Sequence, residues 1–196
     1  MYKHFGKRAI DIIIGLCAFP FVLLLIIICG PIIYFTDKGP IFYNAKRVGK
    51  DGEIFTMYKF RSMRVNAPDI RNEDGSTFSS DNDPRVTRIG KIMRKTSIDE
   101  FPQFFNVLKG DMSVIGPRPN LPTVPFNELS ELEQRRLAVR PGITGYNQAY
   151  YRNSVSAIEK YKNDVFYVDN LTFLMDVRVL LHTVISILKR ENINIS

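Results

Sequence analysis

The chain has 196 residues, 45% of them hydrophobic, which suffices for one compact domain plus an appendage. A net charge of +7 directs it toward anionic partners: nucleic acid, an acidic membrane surface or phosphorylated small molecules. Its two cysteines, Cys17 and Cys29, lie in the most apolar stretch; this argues against a disulfide framework or a Cys/His metal site and fits a reducing cytoplasm.

From Ile12 to Phe35 the sequence IIIGLCAFPFVLLLIIICGPIIYF carries no charge and exceeds the roughly 20 residues that cross a bilayer. A signal peptide would have a shorter apolar region and a small-residue cleavage site, and YFTDKGP is a poor one. A plain transmembrane anchor would carry its positive charge on one flank. Here Lys3, Lys7 and Arg8 precede the segment while Lys38, Lys46, Arg47 and Lys50 follow it, so the positive-inside rule has no direction to choose. A segment that enters and leaves on the cytoplasmic face satisfies both flanks. Pro20 supplies the bend this requires, and Gly30-Pro31 loosens the second arm. The favoured reading is a kinked re-entrant helix over 1–36, with a spanning anchor as the alternative, followed by a cytosolic and interfacial domain over 37–196.

After Phe35 the composition changes. Two short strands are expected near Ile41 to Tyr43 and Ile54 to Phe60, with Asp51-Gly52 as the turn between them. VNAPDIRNEDGSTFSSDNDP is polar and aperiodic, hence a loop, either a tolerated surface insertion or a lid. RVTRIGKIMRK then reads as a short basic helix. The next helix starts near Asp99, with Phe101, Phe104, Phe105 and Leu108 forming one buried stripe and Gly110 stopping it. At its mouth, Ser97 and Glu100 match a capping box, and acids in a first turn favour the helix dipole. Asp99 and Glu100 are therefore readable as capping residues or as chemistry.

GDMSVIGPRPN holds Arg118 between two prolines. A stiff backbone presenting a guanidinium suits a bidentate grip on phosphate, although a rigid surface turn would look the same. RPGITGYNQAY repeats the combination of glycine, proline and a basic residue. LTFLMDVRVLLHTVISILKR is an apolar helix interrupted by Asp176, Arg178 and His182, too charged to cross a bilayer. It belongs at the membrane surface or in the core, with His182 structural. The expected fold class is α+β, mostly α, with a short β-hairpin.

No Ser-His-Asp set, G-x-G-x-x-G or Walker loop occurs. An acid pair beside loop arginines points to a divalent cation and a phosphate-bearing substrate, since Mg²⁺ takes one or two carboxylates plus substrate phosphates. An aspartate so placed can attack phosphorus and form a reactive acyl phosphate.

KRAIDIIIG, YKFRSM, DPRVTRIGKIMRKTSIDEFPQFFNVLKGDMSVIGPRP and RPGITGYNQ resemble, in order and across nearly the whole chain, the bacterial monotopic phosphoglycosyl transferases, also called sugar transferases of polysaccharide synthesis. The resemblance is to the minimal catalytic form. It implies transfer of a sugar-1-phosphate from a UDP-sugar to polyprenyl phosphate, for instance undecaprenyl phosphate, with release of UMP, at the cytoplasmic face of the bacterial inner membrane. Carried onto this sequence, it makes Asp99 the covalent nucleophile and Glu100 the Mg²⁺ ligand. Arg94 and Arg118 become phosphate-binding residues, and Lys59, Asp164 and Asp176 further polar positions of the site. It also implies a re-entrant helix broken at a proline. The chain departs from the family pattern at Phe19, where serine is frequent, at Ala45, where glutamine is, and at Tyr146, where tryptophan is. Two readings compete: a basic membrane-anchored anion-binding module without catalysis, and a nucleic-acid binder. The second gains nothing from an apolar membrane segment and shows no RNA-binding motif, so no nucleic acid partner is expected.

Overall fold

A computed structural model describes residues 2–70, 78, 80, 83–151 and 154–189. A π-helical turn, Tyr2–Gly6, leads into a 31-residue helix, α1 (Lys7–Asp37). Pro20 and Pro31 both lie inside α1 without ending it, each leaving free the carbonyl four residues earlier. The helix stops at Lys38, which turns left-handed and closes its N–H on the Tyr34 carbonyl. One face of α1 is buried through Gly15, Val22, Cys29 and Ile33. On the other, Ile13, Leu16, Phe21, Ile27 and Phe35 are more than half exposed. Water does not tolerate so much contiguous apolar surface; a long apolar N-terminal helix of this kind fits association with a membrane.

Strands β1 (Phe42–Val48) and β2 (Ile54–Phe60) form the expected antiparallel hairpin, registered from Phe42 against Phe60 to Val48 against Ile54. Asp51 and Gly52 turn it with φ of 54° and 84°. β1 extends past Tyr43 because its backbone pairs with β2 residue for residue as far as Val48, burying Ala45 and Val48; the largely polar run Asn44 to Arg47 hides this. Next come α2 (Arg88–Thr96) and α3 (Gln103–Lys109). Strands β3 (Ser113–Ile115) and β4 (Gly142–Thr144) pair in parallel, and three residues each are too few for a periodicity to announce them. Helices α4 (Glu131–Arg136), α5 (Tyr146–Tyr150), α6 (Ala157–Asp169) and α7 (Phe173–Leu188) complete the chain. Genuine capping boxes start α4, at Ser130 and Glu133, and α6, at Ser156 and Glu159.

The buried stripe expected on α3 is corrected. Phe101, Phe104, Phe105 and Leu108 are only half-buried, whereas Gln103, Asn106 and Val107 are buried. The reason is that α3 lies between the core and α1. Phe105 meets Phe19 edge-on at 5.8 Å, and Leu108 lies so close to Gly15 that a Cβ there would come within 2.7 Å of it. The polar Asn106 instead turns inward. Its carboxamide accepts from the Tyr58 N–H at 2.9 Å and donates to the Thr56 carbonyl at 2.7 Å, stitching α3 to β2.

Val107, Met112, Val114, Ile115, Tyr167 and Val179 belong to the main core, and Cys29, Ile33, Phe60 and Met93 form a second cluster joining α1 to β2 and α2. Helix α7 buries Asp176 and Val179 and leaves Phe173, Leu174 and Leu181 more than half exposed. His182 packs on the Tyr150 ring at 4.1 Å, in keeping with a structural role. Of the loop read as either a surface insertion or a lid, residues 71–77, 79, 81 and 82 lie outside the described residues. Its described ends are gathered by Arg85, which grips Asp83 and donates to the Pro68 and Phe78 carbonyls.

Asn106→Ala strands a buried N–H and a carbonyl on β2, a loss of about 1–3 kcal/mol. At ~2–4 °C per kcal/mol for a domain of this size, thermal unfolding in detergent should register it; a variant melting with the parent would show that α3 and β2 hold together without the stitch.

Candidate active site

α2 is set against β2 by close approach. Gly90 lies under the Ser62 carbonyl so tightly that a Cβ would come within 1.9 Å of that oxygen, and the Thr87 N–H donates to the same carbonyl at 3.0 Å. Helix α2 then ends at Ser97, which is left-handed (φ 57°), its N–H donating to the Met93 and Arg94 carbonyls. Ser97 is thus the C-cap of α2, which corrects the capping-box reading. An N-cap needs extended dihedrals to aim its side chain at the next turn, and Ser97 makes no such bond. The acids fall in a separate 3₁₀ turn, Ile98–Glu100, that precedes α3. Released from capping, they face the hairpin.

Glu100 lies where β2, the acid turn and the Pro117–Pro119 loop converge. Its Oε1 accepts from Lys59 Nζ at 2.6 Å and from an Arg118 Nη at 3.3 Å. Burial opposes its ionisation, but Lys59 and Arg118 overcome this and hold the carboxyl at about 2. Asp99, beside it and buried, behaves oppositely: burial and the Glu100 charge push its carboxyl up, against the pull of Lys59 and Arg94. Arg94 is fixed by its Nε donating to Ser62 Oγ at 2.9 Å. Two adjacent carboxyls therefore differ in character, one held as an anion and one shifted upward by its surroundings, which is how environments separate acid–base roles.

Of the predicted residues, Asp99, Glu100, Lys59, Arg94 and Arg118 are thus brought together. Asp164 is set back from them, its Oδ2 accepting from Arg136 Nε at 2.8 Å. Asp176 belongs to a different cluster, bonded to Lys7 at 2.8 Å, to Tyr167 at 2.6 Å and to Tyr2. Sequence reading missed Ser62, Asn106 and Arg136. They hold backbone and side chains; Ser62 and Asn106 lie inside recognised motifs, YKFRSM and DPRV…GPRP, without a signal of their own, and Arg136 lies outside all of them.

Among the described residues no group of three acidic, histidine or cysteine side chains gathers as a metal site. The ionised Glu100 and neighbouring Asp99 are nonetheless the one or two carboxylates that suit Mg²⁺ when substrate phosphates and water complete its shell.

The family model described as bacterial sugar transferase matches residues 2–190. The chain belongs to the bacterial sugar transferase family. It is 42% identical to the galactosyl transferase CpsE of Streptococcus agalactiae, over 93% of this chain and 42% of that one. It is 40% identical to the UDP-N-acetylgalactosamine-undecaprenyl-phosphate N-acetylgalactosaminephosphotransferase of Aeromonas hydrophila, over 94% and 44%. With the exopolysaccharide production protein PSS of Rhizobium leguminosarum it shares 36%, over 94% and 96%. The chain spans less than half the length of the first two relatives.

The two acids predict opposite stability effects. Because the Asp99 carboxyl is raised by folding, its charge costs stability at neutral pH, and the cost is relieved as pH falls through the folded value. Glu100 is depressed from 4.5 to about 2, so its stabilisation is complete above 4.5 and is lost as pH falls toward 2. Thermal melts at pH 7 should therefore show Asp99→Asn more stable than the parent and Glu100→Gln less stable. The reverse order would contradict the charge distribution described.

Proposed function

We propose that this protein transfers a sugar-1-phosphate from a UDP-sugar to a membrane polyprenyl phosphate, releasing UMP, through a covalent phosphosugar on Asp99. The reading rests on one observation: a buried carboxyl next to an ionised Glu100 that Lys59 and Arg118 already grip, in a chain of the sugar transferase family. The relatives' names point the same way, one of them specifying a UDP-linked sugar and undecaprenyl phosphate.

The Asp99 carboxylate oxygen attacks the phosphorus that bears the sugar. As that bond forms, the bond to the bridging oxygen breaks, and the oxygen leaves with UMP. An oxygen of polyprenyl phosphate then attacks the same phosphorus and displaces Asp99, giving a polyprenyl diphosphate sugar and restoring the carboxylate. One phosphate linkage replaces another at each step, so no further energy source is required. Lys59, Arg94 and Arg118 supply positive charge for the phosphoryl oxygens. Burial keeps Asp99 weakly solvated, which favours nucleophilic attack over hydration. Mg²⁺ bound through Glu100 would add charge neutralisation at the phosphates.

Topologically, we place α1 as a re-entrant or in-plane element with both ends on the cytoplasmic face. Its N-terminal end bonds to α7 and β3 through Lys7 and Asp11, and its C-terminal end bonds to Arg61 through Asp37 at 2.6 Å. A spanning helix would carry one end away from the domain that both ends touch. Single cysteines at Lys3 and Lys38 should label from the same side of sealed inverted vesicles; labelling from opposite sides would refute this topology.

The transfer itself is tested by intact mass. Parent protein quenched with UDP-sugar should gain the phosphosugar mass and release UMP, and Asp99→Asn should do neither. Undiminished UMP release by Asp99→Asn would eliminate the mechanism.

A further inference from the structure

The loop that presents Arg118 has few backbone handles. Pro117 and Pro119 lack N–H groups, so apart from the Arg118 N–H the tripeptide can be fixed only through its carbonyls. The Pro117 carbonyl accepts from the Gly142 N–H at 2.9 Å, as the edge of the parallel pair. The Arg118 carbonyl accepts from Arg136 Nη2 at 2.6 Å. Arg136 stands at the end of α4, and the same Nη2 lies 2.7 Å from Asp164 Oδ2 on α6. Tyr161 lies under its guanidinium at 5.0 Å. Both charged side chains are almost fully buried, 3% exposed for Arg136 and 4% for Asp164, whereas the Arg118 side chain they support from behind is 59% exposed.

Stability does not account for such a pair. Two charges lose their hydration on burial, and an apolar pair of similar volume is commonly as stable or more so. What an apolar pair cannot do is donate a hydrogen bond to the Arg118 carbonyl. We infer that Arg136 and Asp164 are positioning residues: a buried clamp that fixes the Arg118 backbone so that its exposed guanidinium, held on one side by Glu100, meets the donor diphosphate already aimed. This rests on the transfer reading above and changes the part given to Asp164, from touching substrate to acting through Arg136 and Arg118. The clamp lowers the orientation cost of phosphate binding, a contribution that sub-ångström misplacement forfeits.

The test is a double-mutant cycle joined to amide hydrogen exchange. Arg136→Met alone would strand Asp164, so the working variant is Arg136→Met/Asp164→Leu, which removes both charges together. In the parent background it should reduce kcat/KM for the UDP-sugar about tenfold, chiefly through KM. In an Arg118→Ala background the same change should cost less than about twofold, because the clamp acts only through Arg118. Losses that multiply in both backgrounds would overturn the inference. Independently of turnover, exchange in the 112–124 segment should accelerate about tenfold or more while α4 and α6 keep their protection. Unchanged exchange in that segment, or equal loss across α4 and α6, would overturn it too. Parent protein that releases no UMP while the exchange result holds would sink the transfer reading and leave the clamp on Arg118 standing.

Discussion

A single carboxylate oxygen organises the site. Glu100 Oε1 takes hydrogen bonds from Lys59 and Arg118, and in doing so ties the end of β2 and the proline-flanked loop to the acid turn. The electrostatic consequence reaches the neighbouring residue. Asp99 is shifted upward chiefly because it is buried, and the Glu100 anion beside it adds to the effect. The fold therefore tolerates a destabilised group at the residue to which the proposed function gives the attack, as is usual where activity and stability compete.

That arrangement depends on the helix beneath it. The apolar stripe of α1 packs on α3, β2 and α2, while polar contacts at its two ends fix its register. Asp11 accepts from Ser113 Oγ and the Val114 N–H at 2.9 Å each, so the long apolar helix is bonded to the strand that runs directly into the Arg118 loop. Arg8 satisfies the Val107 and Leu108 carbonyls at the end of α3. At the other end Arg61, two residues beyond Lys59, donates to the Pro40 and Ile33 carbonyls. Under the proposed function, a helix so attached keeps Asp99 at a fixed height relative to the exposed apolar face of α1, where an acceptor with a membrane-embedded tail would present its phosphate.

Asp176 and Asp164 illustrate two ways in which a carboxylate can hold other side chains in place. Asp176 receives Tyr2, Lys7 and Tyr167 and so locks the N-terminal end of α1 onto α6 and α7. Asp164 neutralises Arg136 behind the loop. A single sequence contains nothing to separate these parts from that of Glu100, because an aspartate reads the same whether its partner is a buried cation or a bound phosphate.

The sequence by itself determined the elements whose signal is local: the uncharged apolar run of α1, the Asp51-Gly52 hairpin, the basic α2, and the motifs around Asp99 and Arg118. These follow from composition, turn chemistry and spacing within a few residues. Only the tertiary structure decided that Ser97 ends a helix instead of starting one, since that depends on the left-handed dihedrals through which α2 passes into the acid turn. It alone decided the parallel pairing of β3 with β4, the inward turn of Asn106, and the division of charged residues between the site and its supports. Each of these is a contact between segments far apart in the chain, and no periodicity within either segment encodes the partner it will meet.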